Sequence, residues 1–197
     1  MKRLFDLVLS AIGCIILWPI FFYIAIKIKQ EDKGPIFYRG IRIGLKGKPF
    51  RIYKFRTMCI NAEEIGPSST ADGDSRITCI GRWIRKYKID ELPQLLNVLS
   101  GQMSMVGPRP QVLWAVKLYT SEEKKILNVK PGITDYASLL FSNEADILKG
   151  SKDPDKVYLK KIHPEKTRLA LYYVNNNSIK IDLKIILMTL KKIIWGK

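Results

Sequence analysis

Residues 7–26 read LVLSAIGCIILWPIFFYIAI, and how this uncharged run is housed decides the fold. A helix of that length rises roughly 30 Å, the thickness of a bilayer's hydrocarbon core. A cleavable secretory leader fits poorly, because no small-residue cleavage site follows and Trp18-Pro19 interrupts the run. A plain span meets a different objection. Lys2 and Arg3 precede the run while Lys27, Lys29 and Lys33 follow it, so both flanks carry the charge that favours the cytoplasmic side. Pro19 also removes a backbone hydrogen bond and crowds the preceding turn, at about 3 kcal/mol in an ordinary helix. A sharp bend at Trp18-Pro19 accounts for both facts, with the segment leaving the membrane on the side it entered. A kinked span is the alternative, since proline is tolerated in spanning helices. The expectation is therefore a re-entrant membrane helix broken at Pro19 over residues 1–33, ahead of a water-facing unit over 34–197.

Working outward, the whole chain of 197 residues is 47% hydrophobic and carries 34 Lys and Arg against 18 Asp and Glu, a formal charge of +16. The length suits one core with appendages. The positive surplus needs a negative partner, and its spread along the chain favours a membrane surface or a phosphate-rich substrate over nucleic acid. Cys14, Cys59 and Cys79 form no CxxC pair, and their odd number suits no closed disulfide framework. His163 is the single histidine and stands before Pro164, a loop or helix-end position. Zinc sites and His-based nucleophile systems therefore have little to be built from, and acid–base chemistry falls to carboxylates, Lys or Tyr.

Residues 36–43 and 49–56 are strand-like runs joined by a glycine-bearing connection at 44–48, which predicts a β-hairpin. Strict alternation would put Phe50, Ile52, Lys54 and Arg56 on one face and Arg51, Tyr53 and Phe55 on the other. Residues 61–76 read as a polar loop, and 80–88 as an amphipathic helix. A further helix of about three turns is expected with Asp90 as N-cap, Pro93 in its first turn and Gly101 closing it. Arg109, preceding Pro110, is pushed into an extended conformation. Thr120 and Glu123 have capping-box spacing, opening an expected helix that continues through Leu127. Helices are expected near Asp153-Pro154, over 164–174 and over 179–195. The last is either a core helix or an interfacial helix on anionic lipid. The fold class is thus α+β and helix-rich: a membrane helix, a β-hairpin and several amphipathic helices at the membrane surface.

Asp90-Glu91 taken alone reads most simply as an acidic helix start. The same end of a helix also binds anions, and Arg76, Arg82, Arg85 and Arg109 are candidates to converge on it. A carboxylate can attack phosphorus when nearby positive charge keeps it ionised, and magnesium on carboxylates and substrate phosphates would neutralise a diphosphate. Adjacent residues on a helix point different ways, so Asp90 and Glu91 are expected to take unequal roles.

The opening KRLFDLVLS, the proline-broken apolar run, Tyr53-Lys54-Phe55-Arg56-Thr57-Met58, Asp90-Glu91-Leu92-Pro93-Gln94, the block 103–110 and Lys130-Pro131-Gly132-Ile133-Thr134 together resemble the bacterial sugar transferases, the monotopic phosphoglycosyl transferases. The blocks occur in order across nearly the whole chain. The resemblance implies a re-entrant helix bent at Pro19 and a catalytic face on the cytoplasmic side of the bacterial inner membrane. It implies that Asp90 attacks a UDP-sugar, releasing UMP, and that polyprenol phosphate then takes the phosphosugar. It also implies that Glu91 supports Mg2+ binding or proton transfer, which makes Asp90 and Glu91 the metal candidates. Arg56, Arg85 and Arg109 match phosphate-binding positions. Pro108, Pro110, Gly132 and Thr134 are candidate substrate contacts, with a plain turn an equal reading of the last two.

Residues 135–144 depart from several relatives, which have a Gly-Trp-Ala-Gln stretch and an Asn-Gly-Arg loop there. This leaves an arginine of theirs without a counterpart. The extra hydrophobic domains of larger relatives are missing too, so a minimal catalytic unit is expected. The competing reading is a non-catalytic, basic membrane-surface adaptor, and a nucleic-acid binder is a weaker third. A homodimer is compatible with the sequence, though no feature specifies a symmetric interface.

Overall fold

A computed structural model of the protein describes residues 1–65, 74–141, 157, 160 and 162–195. The chain opens with helix α1 (Lys2–Asp32) and then forms β1 (Phe37–Tyr38), β2 (Ile41–Ile43), β3 (Pro49–Arg51) and β4 (Lys54–Phe55). Short helices α2 (Ala62–Ile65), α3 (Cys79–Lys86) and α4 (Gln94–Leu99) lead to β5 (Ser104–Val106) and α5 (Leu113–Lys117). A 3-10 turn (Glu123–Asn128), β6 (Gly132–Thr134) and α6 (Tyr136–Leu140) follow. Helices α7 (His163–Asn176) and α8 (Ile179–Trp195) complete the described chain. The helix expected near Asp153-Pro154 lies outside the described residues.

The expected hairpin forms, but each arm is broken. β1 pairs with β4 and β2 with β3, both antiparallel, and Ile52 and Tyr53 interrupt the second arm. The alternation expected across 50–56 consequently fails at the break. Phe50 and Ile52 enter one core cluster with Val98 and Met103, while Phe55 enters another with Ile24, Ile28 and Ile84. The break exposes backbone groups that the fully buried Asn97 satisfies. Its Oδ1 accepts from Tyr53 N–H at 2.8 Å, and its Nδ2 donates to the Arg51 carbonyl at 2.9 Å.

α1 runs unbroken through Pro19, which corrects the expected break in the helix itself. One lost hydrogen bond, flanked by complete turns on both sides, does not stop propagation. α1 is long and apolar enough to cross a membrane. Its two ends, however, dock on the same body. Near the start, Arg3 donates to the Val98 and Leu99 carbonyls, and buried Asp6 accepts from Ser104 Oγ and Met105 N–H, both at 3.0 Å. Near the end, Ile24 and Ile28 are buried, and the Glu31 carboxylate accepts from Cys79 N–H at 2.6 Å and Ile80 N–H at 3.2 Å, capping α3. Between them no residue from 11 to 23 is fully buried, and Ile15, Ile16, Trp18, Pro19 and Ile20 are exposed.

β5 and β6 form a parallel pair, with Ser104 opposite Gly132 and Val106 opposite Thr134. A Cβ on Gly132 would lie 2.0 Å from the Gly107 nitrogen, so the two chains pass at a distance only glycine permits. Tyr173 and Asp182 are buried behind this pair, the tyrosine hydroxyl donating to Asp182 Oδ1 at 2.6 Å. Burial pushes the Tyr173 phenol well above its ordinary value, and the Asp182 carboxylate adds to the effect.

Candidate active site

The sequence around Asp90 folds differently from expectation. Residues 89–93 form turns closed by Leu92 N–H to the Ile89 carbonyl and Gln94 N–H to the Glu91 carbonyl, and α4 starts only at Gln94. Asp90 is therefore no N-cap, and six residues of α4 replace the expected three turns. The far end is as expected: Ser100 caps and Gly101 follows at φ 82°. Gln102 N–H and Gly101 N–H return to the Asn97 and Val98 carbonyls, a Schellman closure.

Asp90 is held through its backbone, its carbonyl accepting from Phe55 N–H at 2.8 Å. Burial pushes its carboxyl above the usual carboxylate range; Lys54 pulls the other way, and the neighbouring Glu91 charge pushes it up again. Glu91 sits in a cationic clamp. Lys54 Nζ donates to its Oε1 at 2.5 Å, Arg109 Nη1 donates to its Oε2 at 3.0 Å, and Arg109 Nη2 also donates to Oε1. Burial alone would raise the Glu91 carboxyl, but the charges and hydrogen bonds of Arg109 and Lys54 outweigh it and hold the carboxyl down at about 2. The two carboxyls thus diverge, one raised and one depressed.

Arg109 reaches Glu91 from a fixed strut. Gly107 N–H donates to the Thr134 carbonyl, Gly132 N–H donates to the Pro108 carbonyl, and Arg109 N–H donates to Asp135 Oδ2 at 3.3 Å. Asp135 is buried and also caps α6 through Ser138 N–H at 2.6 Å. Thr120 and Glu123 form the expected reciprocal capping box, but it opens the 3-10 turn Glu123–Asn128 in place of the expected helix.

A cavity of about 1020 Å³ opens beside this group and is lined by Asp90, Glu91, Pro108, Arg109, Thr134 and Asp135, with His163, Lys166, Thr189 and Lys192 among the residues opposite. Thr134 hydrogen-bonds Thr189 at 2.7 Å across one wall. The other expected site residues lie elsewhere. Pro110 borders a smaller pocket, and Gly132 is the buried crossing with Gly107. Arg85 donates to Thr57 Oγ1 at 2.9 Å, and buried Arg56 pairs with Asp32 at the end of α1. Of the four arginines expected to converge, two come near the dyad: Arg109 lines the cavity, and Arg85 stands outside the lining but close enough for its charge to lower the Asp90 carboxyl. Arg76 is bound to Asp74 and Arg82 is exposed near Cys79, so Arg109 alone of the four lines the cavity.

Lys54 and Asp135 were not singled out by the sequence. The break at Ile52-Tyr53, which turns Lys54 toward Glu91, leaves no trace in a period-two pattern. Asp135 did leave one, since Asp-x-x-Ser before Leu139-Leu140 is an N-cap spacing.

Among the described residues no group of three or more His, Cys, Asp or Glu could hold a metal. Both Glu91 oxygens are engaged by cations, whereas no other side chain bonds the Asp90 carboxylate among the described residues. Magnesium accepts one or two carboxylates with substrate phosphates completing its shell, so of the two the Asp90 carboxylate, rather than the clamped Glu91, suits an ion shared with a phosphate-bearing ligand.

Residues 1–196 match the sequence model of a family described as "Bacterial sugar transferase". The chain is 36% identical, over 99% of its length, to the UDP-N-acetylgalactosamine-undecaprenyl-phosphate N-acetylgalactosaminephosphotransferase of Aeromonas hydrophila, covering 44% of that protein. It is 39% identical, over 98% of its length, to the uncharacterized sugar transferase EpsL of Bacillus subtilis, covering 87% of it. It is 36% identical, over 97% of its length, to the UDP-glucose:undecaprenyl-phosphate glucose-1-phosphate transferase of Klebsiella pneumoniae, covering 39%. The chain thus spans less than half the length of the Aeromonas and Klebsiella proteins.

Proposed function

Because the chain belongs to the bacterial sugar transferase family, we propose that it moves a sugar 1-phosphate from a UDP-sugar to polyprenol phosphate and releases UMP, starting lipid-linked glycan assembly. The observation that carries this reading is the split carboxyl pair at the cavity: Asp90, unbonded by other side chains among the described residues, beside Glu91, clamped by Lys54 and Arg109.

An Asp90 oxygen attacks the sugar-bearing phosphorus of the diphosphate, the bond from that phosphorus to the bridging oxygen breaks, and UMP departs with the electron pair. The phosphosugar stays on Asp90 as an acyl phosphate. A polyprenol phosphate oxygen then attacks the same phosphorus and restores the carboxylate. Lys54 and Arg109 supply fixed positive charge where phosphate charge develops, and Glu91 orients both. Asp90 and, secondarily, Glu91 would be the residues to hold Mg2+, which would supply further charge neutralisation. Glu91, held ionised by two cations, is the less suitable proton carrier.

α1 docks on one body near both ends and touches it between them through Gly13 beside Leu95 and Phe21 against Phe55, while its opposite face is apolar and exposed; both ends lying on the same body supports the re-entrant reading over a span. Residues 1–33 would then form the membrane segment and 34–197 the catalytic part, facing the cytoplasm at the inner membrane. A panel of UDP-sugars scored for UMP release with magnesium tests the proposal. The expected result is release from one donor and loss of release in Asp90→Asn; an adaptor would release none.

A further inference from the structure

Strand β5 leads directly into the strut that carries Arg109, and the first turns of α1 hold that strand along its length. Asp6 accepts from Ser104 Oγ and Met105 N–H, both at 3.0 Å. One helical turn earlier, on the same face, Lys2 Nζ donates to the Val106 carbonyl at 3.2 Å. An ammonium carries three N–H groups, and the other two reach Tyr173 Oη at 3.2 Å and Asp182 Oδ2 at 2.5 Å. The Tyr173 hydroxyl also lies 3.0 Å from the Val106 carbonyl, but its single proton serves Asp182 Oδ1 at 2.6 Å. Residues 2, 106, 173 and 182 thus meet at one point, with Lys2 as the charged donor.

Asp182 is fully buried, and a buried carboxylate needs a paired charge, so the Lys2 ammonium is fixed at this point. From Val106 the path to Arg109 is short and stiff. Gly107 N–H donates to the Thr134 carbonyl, the Pro108 ring fixes its own φ, and Pro110 restricts Arg109 to extended conformations. A shift at Val106 therefore reaches the Arg109 guanidinium, which clamps Glu91 at the cavity.

We infer that Lys2 is a positioning residue for the transfer: its ammonium, oriented by Asp182 and Tyr173, sets the place of Val106 and, through the strut, that of Arg109. The start of α1 thereby aims a cation of the site, with α7 and α8 as its holder. This rests on the proposed transfer, in which Arg109 faces the developing phosphate charge.

The test is a double-mutant cycle in the full, membrane-reconstituted chain, read by UMP release and by amide hydrogen exchange. Lys2→Met should lower kcat by about 10- to 100-fold, the scale of a misplaced catalytic group. It should also speed exchange across residues 104–109. In Arg109→Lys, which has already lost the two-pronged clamp, adding Lys2→Met should lower kcat little further. Should Lys2→Met fail to fold, Tyr173→Phe, which keeps the packed ring and removes one partner of the ammonium, carries the same cycle. An unchanged kcat would overturn the inference. The same fold-loss in both backgrounds would do so too, because a defect of folding or membrane seating scales the rate whatever stands at position 109. Wild-type protein that releases no UMP from any UDP-sugar would sink the transfer reading instead. Exchange across 104–109 then decides whether Lys2 holds the strut, and unchanged protection in Lys2→Met counts against it.

Discussion

At the residue scale, two adjacent carboxyls are given different chemistry by what surrounds them. In the proposed transfer Asp90 must be ionised to attack, and its value is raised, so UMP release should fall with acidification at a midpoint above the ordinary carboxylate range. Lys54 lowers the Asp90 value and Glu91 raises it, so Lys54→Met should move that midpoint up and Glu91→Gln should move it down in a pH–rate profile. Glu91 behaves oppositely in stability. Its value of about 2 lies below the 4.5 of a free side chain, so its ion pairs stabilise the fold fully above pH 4.5 and are lost as pH falls towards 2. Urea unfolding of wild type and Glu91→Gln should therefore converge at acid pH and separate near neutrality.

At the element scale, the site depends on how the hairpin breaks. Asn97 from α4 satisfies Tyr53 N–H and the Arg51 carbonyl, and this fixes the turn of chain that sends Lys54 to Glu91 and Phe55 to the core. Asn97→Ala leaves both backbone groups buried without partners, at about 1–3 kcal/mol each. A lower unfolding midpoint together with reduced UMP release is expected; unchanged values in both would contradict the assignment. Much of this scale was legible in advance. The hairpin, the amphipathic α3, the Gly101 closure, the Thr120–Glu123 box and the last two helices all follow from local signals of cap, turn and period. What could not be read was set by distant partners. The break at Ile52-Tyr53 is stabilised from α4, Arg56 is claimed by Asp32 on α1, and Pro93 delays the helix that Asp90 was expected to cap. A sequence lists arginines, and only packing decides that Arg109 alone reaches the cavity.

At the scale of the whole molecule, a helix long enough to cross a bilayer is tied at both ends to one body, by Arg3 and Asp6 at its start and Glu31 and Asp32 at its end. Lys2→Cys and Lys33→Cys, each placed singly in the cysteine-free chain, should react with an impermeant maleimide from the same face of sealed vesicles. Reaction from opposite faces would establish a span. That topology would bring a soluble donor and a lipid acceptor to one carboxylate in turn, which is the central claim. It is tested most directly by incubating membrane-reconstituted protein with magnesium and sugar-labelled UDP-sugar in the absence of polyprenol phosphate. The account predicts label retained on the protein, absent in Asp90→Asn, and discharged to lipid when polyprenol phosphate is added. Product formation with acceptor present, but no label ever retained without it, would contradict a covalent Asp90 intermediate.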